Sequence, residues 1–216
     1  AQDALSTGSS KHIVSAEKQP FPMATKADPL PIPDLTTSDS RYPCFMKTSI
    51  LEYLESSASR YPDKTAFADL DATCTFEELR LRARRVGTAL AEHFAPRNPV
   101  PVFMEKSVDT IGMFMGAVYA GCFYVLLDTK QPAARISQIL DILDSNVIVT
   151  SSKYQKDLEK LEFKGTILLT EELEKTPEDC FVLKSIRDQA LDTDPLYGIF
   201  TSGSTGVPKG VVVGHR

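Results

Sequence analysis

Val108-Asp109-Thr110-Ile111-Gly112-Met113-Phe114-Met115-Gly116-Ala117-Val118-Tyr119-Ala120-Gly121-Cys122-Phe123-Tyr124-Val125-Leu126-Leu127-Asp128 is the stretch on which the fold turns. From Ile111 to Leu127 it carries no charge and comes close to the roughly 18 residues at which an apolar run reads as a membrane span. Gly112, Gly116 and Gly121 interrupt it, and Asp128 ends it. Phe123–Leu127 reads as a separate strand, apolar on both faces as in a buried parallel sheet. The stretch therefore predicts a buried helix over about 108–120, a left-handed terminator at Gly121 and a buried strand behind it.

Working outward, strands and helices alternate. Ser49 and Glu52 have capping-box spacing, and Ile50, Leu54, Ala58 and Tyr61 then share a helical face. Pro62-Asp63 ends that helix, and a short strand follows over 65–70. Thr75 and Glu78 form a second capping box ahead of the stripe Phe76, Leu79, Ala83, Val86, Leu90 and Phe94, which reads as core. Val100–Met104 is strand-like. Downstream, Pro132 opens a helix carrying Ile136, Ile139, Leu140 and Leu143. Strands are expected at 147–150 and 166–170, with a helix over 154–161 between them. The pattern is α/β, with a largely parallel sheet flanked by helices. Residues 1–40, with Pro20, Pro22, Pro29, Pro31 and Pro33, read as a flexible or extended tail, and 41–216 as the folded body.

Composition excludes several classes. At 42% hydrophobic and 25% charged, the chain has an ordinary globular make-up. A net charge of −5 lacks the basic face that phosphate backbones require, so a nucleic-acid partner is not expected. Arg80, Arg82, Arg84 and Arg85 read as a solvated helix face. Cys44, Cys74, Cys122 and Cys180 lie far apart, as do His12, His93 and His215, so no metal site is expected. Cys74 and Cys122 read as buried small hydrophobes. Nothing demands an oxidising compartment, and no membrane partner is expected; the reading is a cytoplasmic protein.

The chemistry concentrates in Tyr197-Gly198-Ile199-Phe200-Thr201-Ser202-Gly203-Ser204-Thr205-Gly206-Val207-Pro208-Lys209-Gly210. A strand enters a loop of hydroxyls and glycines, a lysine follows, and Val211–Val213 makes a second strand. Gly203 and Gly206, lacking Cβ, let backbone N–H groups turn toward an anion. Thr201, Ser202, Ser204 and Thr205 add hydroxyl donors, and Lys209 adds a point charge suited to phosphate oxygens. Two strand-forming flanks and a Pro-Lys-Gly ending argue against a flexible linker. A Walker A loop needs Gly-Lys-Ser/Thr followed by a helix; here Lys209 lies between Pro208 and Gly210, and a strand follows.

The run Thr201–Gly210 resembles the phosphate-binding signature of the adenylate-forming superfamily, which contains acyl-CoA synthetases, luciferases and the adenylation domains of nonribosomal peptide synthetases. Ala120–Asp128, then Pro132 and Arg135-Ile136, is similar to a block typical of its amino-acid-activating members, including the D-alanine-carrier protein ligase type. Thr75–Leu79 is similar to a third block. One departure is Leu126, where those relatives usually carry proline; it is expected to be buried.

The resemblance implies part of an N-terminal subdomain of an enzyme that converts an amino acid or other small carboxylic acid, with ATP and Mg2+, to an acyl-AMP. Such enzymes pass the acyl group to a carrier-protein pantetheine thiol. It implies that Thr201, Ser202, Gly203, Ser204, Thr205, Gly206 and Lys209 hold the β- and γ-phosphates; no residue of this chain is assigned a catalytic role. The acid pocket and the mobile-domain lysine lie further along in relatives. The chain is therefore expected to be a fragment, inactive alone, with the remainder of its domain elsewhere, on another chain for instance. An acyl-CoA or aryl-acid ligase and a truncated, non-catalytic binding module are the alternatives.

Overall fold

The structure, a computed structural model, describes residues 47–202 and 207–216, apart from the side chain of Ser202. The tail expected over residues 1–40 lies outside them.

Six strands form the main sheet in the order β6-β5-β3-β4-β7-β8. They are β3 (Pro99–Phe103), β4 (Phe123–Leu127), β5 (Val147–Thr150), β6 (Thr166–Leu169), β7 (Pro195–Ser202) and β8 (Pro208–Gly214). All neighbours pair in parallel except β7 and β8, which run antiparallel. The chain steps from β3 to β4, returns past β3 to β5, and later reaches β7 beyond β4. Right-handed crossovers in these opposite directions put α3 (Val108–Tyr119) and α4 (Ala133–Leu143) on opposite faces of the sheet. A small antiparallel pair, β1 (Thr65–Ala68) and β2 (Thr73–Thr75), stands apart from it.

The helices start where their caps dictate. Before α2 (Phe76–Ala91), the Thr75 hydroxyl accepts from Glu78 N–H at 3.2 Å, and Glu78 accepts from Thr75 N–H at 2.8 Å, closing the capping box. Before α1 (Ile50–Arg60), Ser49 accepts from Leu51 N–H at 3.3 Å. Glu52 reaches past Ser49 and takes the N–H and hydroxyl of Thr48 instead. The buried face of α1 is Leu51, Leu54 and Ala58. Ile50 is only partly buried, and Tyr61 lies past the helix end, 57% exposed, because the cap has already left the helical phase. Pro132 stands at the N-cap of α4 rather than inside its first turn.

The opening stretch folds as expected. α3 is buried nearly all round, Gly121 follows it at φ +71°, and β4 spans Phe123–Leu127. Leu126 is half-buried rather than buried, because β4 alternates its faces. α2 lies across α3 at a tight crossing. A Cβ built on Gly116 would stand 2.7 Å from Val86 Cβ and closer still to its Cγ1, so only glycine fits there. Val86, Leu90, Val100, Val102, Met113, Leu127, Ile136 and Ile148 form the centre of the core.

Three elements were not expected: β2, α6 (Thr170–Leu173) and α7 (Cys180–Asp188). α7 buries only Leu183 fully; Asp179 starts it by accepting from Phe181 and Val182 N–H. The expected helix over 154–161 shortens to α5 (Gln155–Glu159) behind a single 3-10 turn.

The arginine row on α2 is not a solvated face. Arg80 pairs with Glu77, Arg82 with both Asp109 and Glu174, and Arg84 with Glu178, leaving Arg85 as the exposed member of the four. The pairs of Arg82 and Arg84 lock α2 to α3, α6 and the segment before α7. Opposite charges within reach turn what periodicity reads as surface into cross-links.

Candidate functional site: the β7–β8 hairpin

β7 carries the chain to the C-terminal end of the parallel sheet, where open α/β sheets bind ligands. β8 returns alongside it, with Phe200 opposite Gly210, Thr201 opposite Lys209 and Ser202 opposite Pro208. Directly opposed residues project from the same face of an antiparallel pair. Thr201 and Lys209 therefore stand side by side, both exposed, with the Thr201 hydroxyl 3.5 Å from the Lys209 carbonyl oxygen. Lys209 belongs to the strand ladder rather than to the loop. Gly203, Ser204, Thr205 and Gly206 lie outside the described residues, and of Ser202 only the backbone is described. The strand that follows Lys209 leaves no place for the helix a Walker A loop needs.

The hairpin is braced from both faces of the sheet. Tyr197 stacks on Tyr124 at 5.9 Å between ring centroids, and Tyr124 stacks on Phe114 of α3 at 4.0 Å. Burial raises the Tyr124 phenol above its usual range, so it stays neutral. Further along, the strand's alternation brings Phe200 to the other face, where it packs on the main core. Its ring also covers Gly210, at which a Cβ would come within 3.2 Å of two ring atoms. Arg135, in the first turn of α4, donates from Nη2 to the Phe200 carbonyl at 3.4 Å. Sequence reading placed Arg135 in a family block but gave it no contact here.

Nearby, Glu105 follows β3 at the same end of the sheet. It accepts from the Tyr154 hydroxyl at 3.0 Å and pairs with Lys130 and Lys153 at 3.3 and 3.6 Å. The Tyr154 hydrogen bond and then Lys130 hold its carboxyl below the usual range. Among the described residues, no group of three His, Cys, Asp or Glu side chains is assembled to hold a metal ion.

The model of a protein family described as AMP-binding enzyme matches residues 54–216. The chain belongs to that family. This AMP-binding segment is 33% identical over 184 residues to one of the mycosubtilin synthase proteins of Bacillus subtilis, covering 85% of this chain and 7% of that protein. It is 32% identical over 175 residues to N-(5-amino-5-carboxypentanoyl)-L-cysteinyl-D-valine synthase of Penicillium rubens, covering 80% of this chain and 5% of that one. The nonribosomal peptide synthetase FmoA3 in its AMPPNP-bound form superimposes with a TM-score of 0.64 at 26% identity, over 78% of this chain and 17% of that structure. The fold is thus that of the N-terminal part of an adenylation domain, and the chain spans a small fraction of each relative's length. No helix among the described residues is long and apolar enough to cross a membrane.

Proposed function

We propose that this chain is part of an ATP-dependent ligase that activates an amino acid as its aminoacyl-AMP and delivers it to the pantetheine thiol of a carrier protein. The observation that carries the reading is the pairing of Thr201 with Lys209 across the hairpin. It brackets the Ser/Thr/Gly stretch of the sequence with a hydroxyl and an ammonium at the sheet end where ligands bind. In this reading Thr201, Ser202, Gly203, Ser204, Thr205, Gly206 and Lys209 surround the β- and γ-phosphates of ATP. A carboxylate oxygen of the amino acid attacks the α-phosphorus, the bond from that phosphorus to the bridging β-phosphate oxygen breaks, and pyrophosphate leaves. The chain's share is to hold the leaving phosphates in line and to neutralise their charge, while selection of the acid falls to residues elsewhere in the enzyme.

Hydroxyl and phosphate oxygens are the ligand type for Mg2+, and Thr201 supplies one; when bound, the ion adds charge neutralisation at the phosphates. The family membership, peptide-synthetase relatives and AMPPNP-bound neighbour support ATP as the nucleotide and an amino acid as the acid. The same reading makes residues 1–40 a tail outside the working body, the protein cytoplasmic, and the isolated chain inactive. The test is amino-acid-dependent exchange of pyrophosphate into ATP by the full-length enzyme. Exchange above blank with one or a few amino acids is expected; exchange only with aryl or fatty acids, or with no acid at all, would overturn the assignment.

A further inference from the structure

Arg135 occupies an unusual place. It is the third residue of α4, where the aligned peptide dipoles present their positive end and a cation is disfavoured. The first turn holds no acidic residue to offset it, and Pro132 at the N-cap offers no side-chain hydrogen bond. Among the described residues Arg135 makes no ion pair, yet it is partly buried, and its one hydrogen bond goes to the carbonyl of Phe200, 65 positions along the chain. By contrast Arg80, Arg82 and Arg84, also partly buried, all meet carboxylates. A residue that breaks a local rule without local compensation marks a place where function sets the choice.

Its target is the last carbonyl before Thr201. On one side of that peptide the Phe200 ring rests on Gly210 and the core; on the other begins the pair Thr201–Lys209. We propose that Arg135 is a positioning residue for the phosphate turn. By holding the Phe200 carbonyl, it fixes the direction in which β7 delivers Thr201 and keeps that hydroxyl beside Lys209. The functional consequence rests on the reading of this turn as the ATP phosphate site, whereas the hold on β7 does not.

The experiment uses the full-length enzyme with Arg135→Met, which keeps an apolar stem and removes the donor, and Arg135→Lys, which keeps a donor on a shorter reach. The KM for ATP and the KM for the acid are measured by pyrophosphate exchange, and backbone amide exchange is followed over Pro195–Ser202 and Pro208–Gly214. Arg135→Met is expected to raise the KM for ATP roughly tenfold, the size of one charge-assisted hydrogen bond, and to leave the KM for the acid unmoved. It should accelerate amide exchange in those two segments alone, and Arg135→Lys should recover part of both effects. An unchanged KM for ATP in an enzyme that turns over overturns the positioning role. So does a raised KM with unchanged amide exchange, which would mean that the guanidinium touches phosphate directly. Faster exchange throughout the chain with a lowered melting temperature would make Arg135 a general fold residue and overturn it too. If the wild-type enzyme exchanges pyrophosphate with no acid, the ATP reading falls, and the amide exchange still decides whether Arg135 holds β7.

Discussion

Replacing Gly116 by alanine tests the crossing of α2 and α3 on which the sheet's α3 face rests. Taken alone, the helix favours the change, since alanine is about 1 kcal/mol better than glycine in a helix interior. Against that gain stands the new methyl, 2.7 Å from Val86 Cβ and nearer still to Val86 Cγ1, with the Ala83 carbonyl oxygen 3.4 Å away. Val86 is fully buried, and a valine in a helix has essentially one side-chain rotamer to use, so it cannot turn aside. The helices must part, and overpacking of this kind costs about 1–3 kcal/mol. The net expectation lies between no change and a loss of about 2 kcal/mol, with the melting temperature lowered by at most roughly 8 °C.

A partner variant sharpens the test. Val86→Ala alone removes two methyl groups and leaves a gap, for a loss of about 2–3 kcal/mol. In the double variant the alanine methyl at 116 enters that gap, so the pair should be more stable than Val86→Ala alone, with a coupling of about 1 kcal/mol or more. Urea denaturation of the four proteins measures all three differences. A Gly116→Ala protein stabilised by the full helix-propensity gain, or strict additivity of the two changes, would refute the tight crossing.

Other outcomes follow from the same structure. In the full-length enzyme, Lys209→Ala should lower adenylation roughly ten- to a hundredfold, the loss of one charged contact, with an unchanged melting temperature because the side chain is exposed; exchange within about twofold of wild type would leave Lys209 no phosphate role. Maleimide at mildly alkaline pH should label Cys180, which is exposed, well before Cys74 and Cys122, which are buried, with burial pushing the Cys122 thiol up to about 12; peptide mapping after a short pulse decides it. The Arg84 guanidinium 2.5 Å from Glu178 lowers that carboxyl to about 2, below its value in the unfolded chain. Its contribution to stability is therefore complete above about pH 5 and is lost as pH falls toward roughly 2. Arg84→Met should flatten that part of the stability–pH curve, and an equally steep curve in the variant would show that the pair contributes nothing.

Much of the sheet was legible because its strands are short, continuously apolar and bounded by glycine, proline or charge. β4 and β5 begin and end where the residues say they should. α2, with its stripe and capping box, and α3, an uncharged run from Ile111 closed by Gly121, were equally readable. α7 was not, since it is only nine residues long, buries one leucine fully and is entered from the acidic, proline-bearing run 171–179, which reads as loop. The arginine row misled because helical spacing reports which face a residue is on, and not whether a carboxylate from another element comes to meet it. The antiparallel direction of β8 was implicit in the short span between Phe200 and Gly210, too short for the crossover a parallel strand requires. At the site, Thr201 and Lys209 announced themselves by residue type, but the contact between Arg135 and Phe200 is made by tertiary packing alone and leaves no local trace.

The hairpin's ladder also constrains how this region can change over evolutionary time. Side chains alternate faces at every residue, so one codon gained or lost within β7 or β8 would turn Lys209 away from Thr201 while leaving both residues present in the sequence. The same codon added between Ser202 and Pro208 lies beyond the last pair and leaves that registration intact. Length variation among descendants of this gene should therefore be purged within both strands, a reading-frame of the sheet imposed on top of the reading-frame of the message, while between them the phosphate role proposed for residues 203–206 sets the length instead.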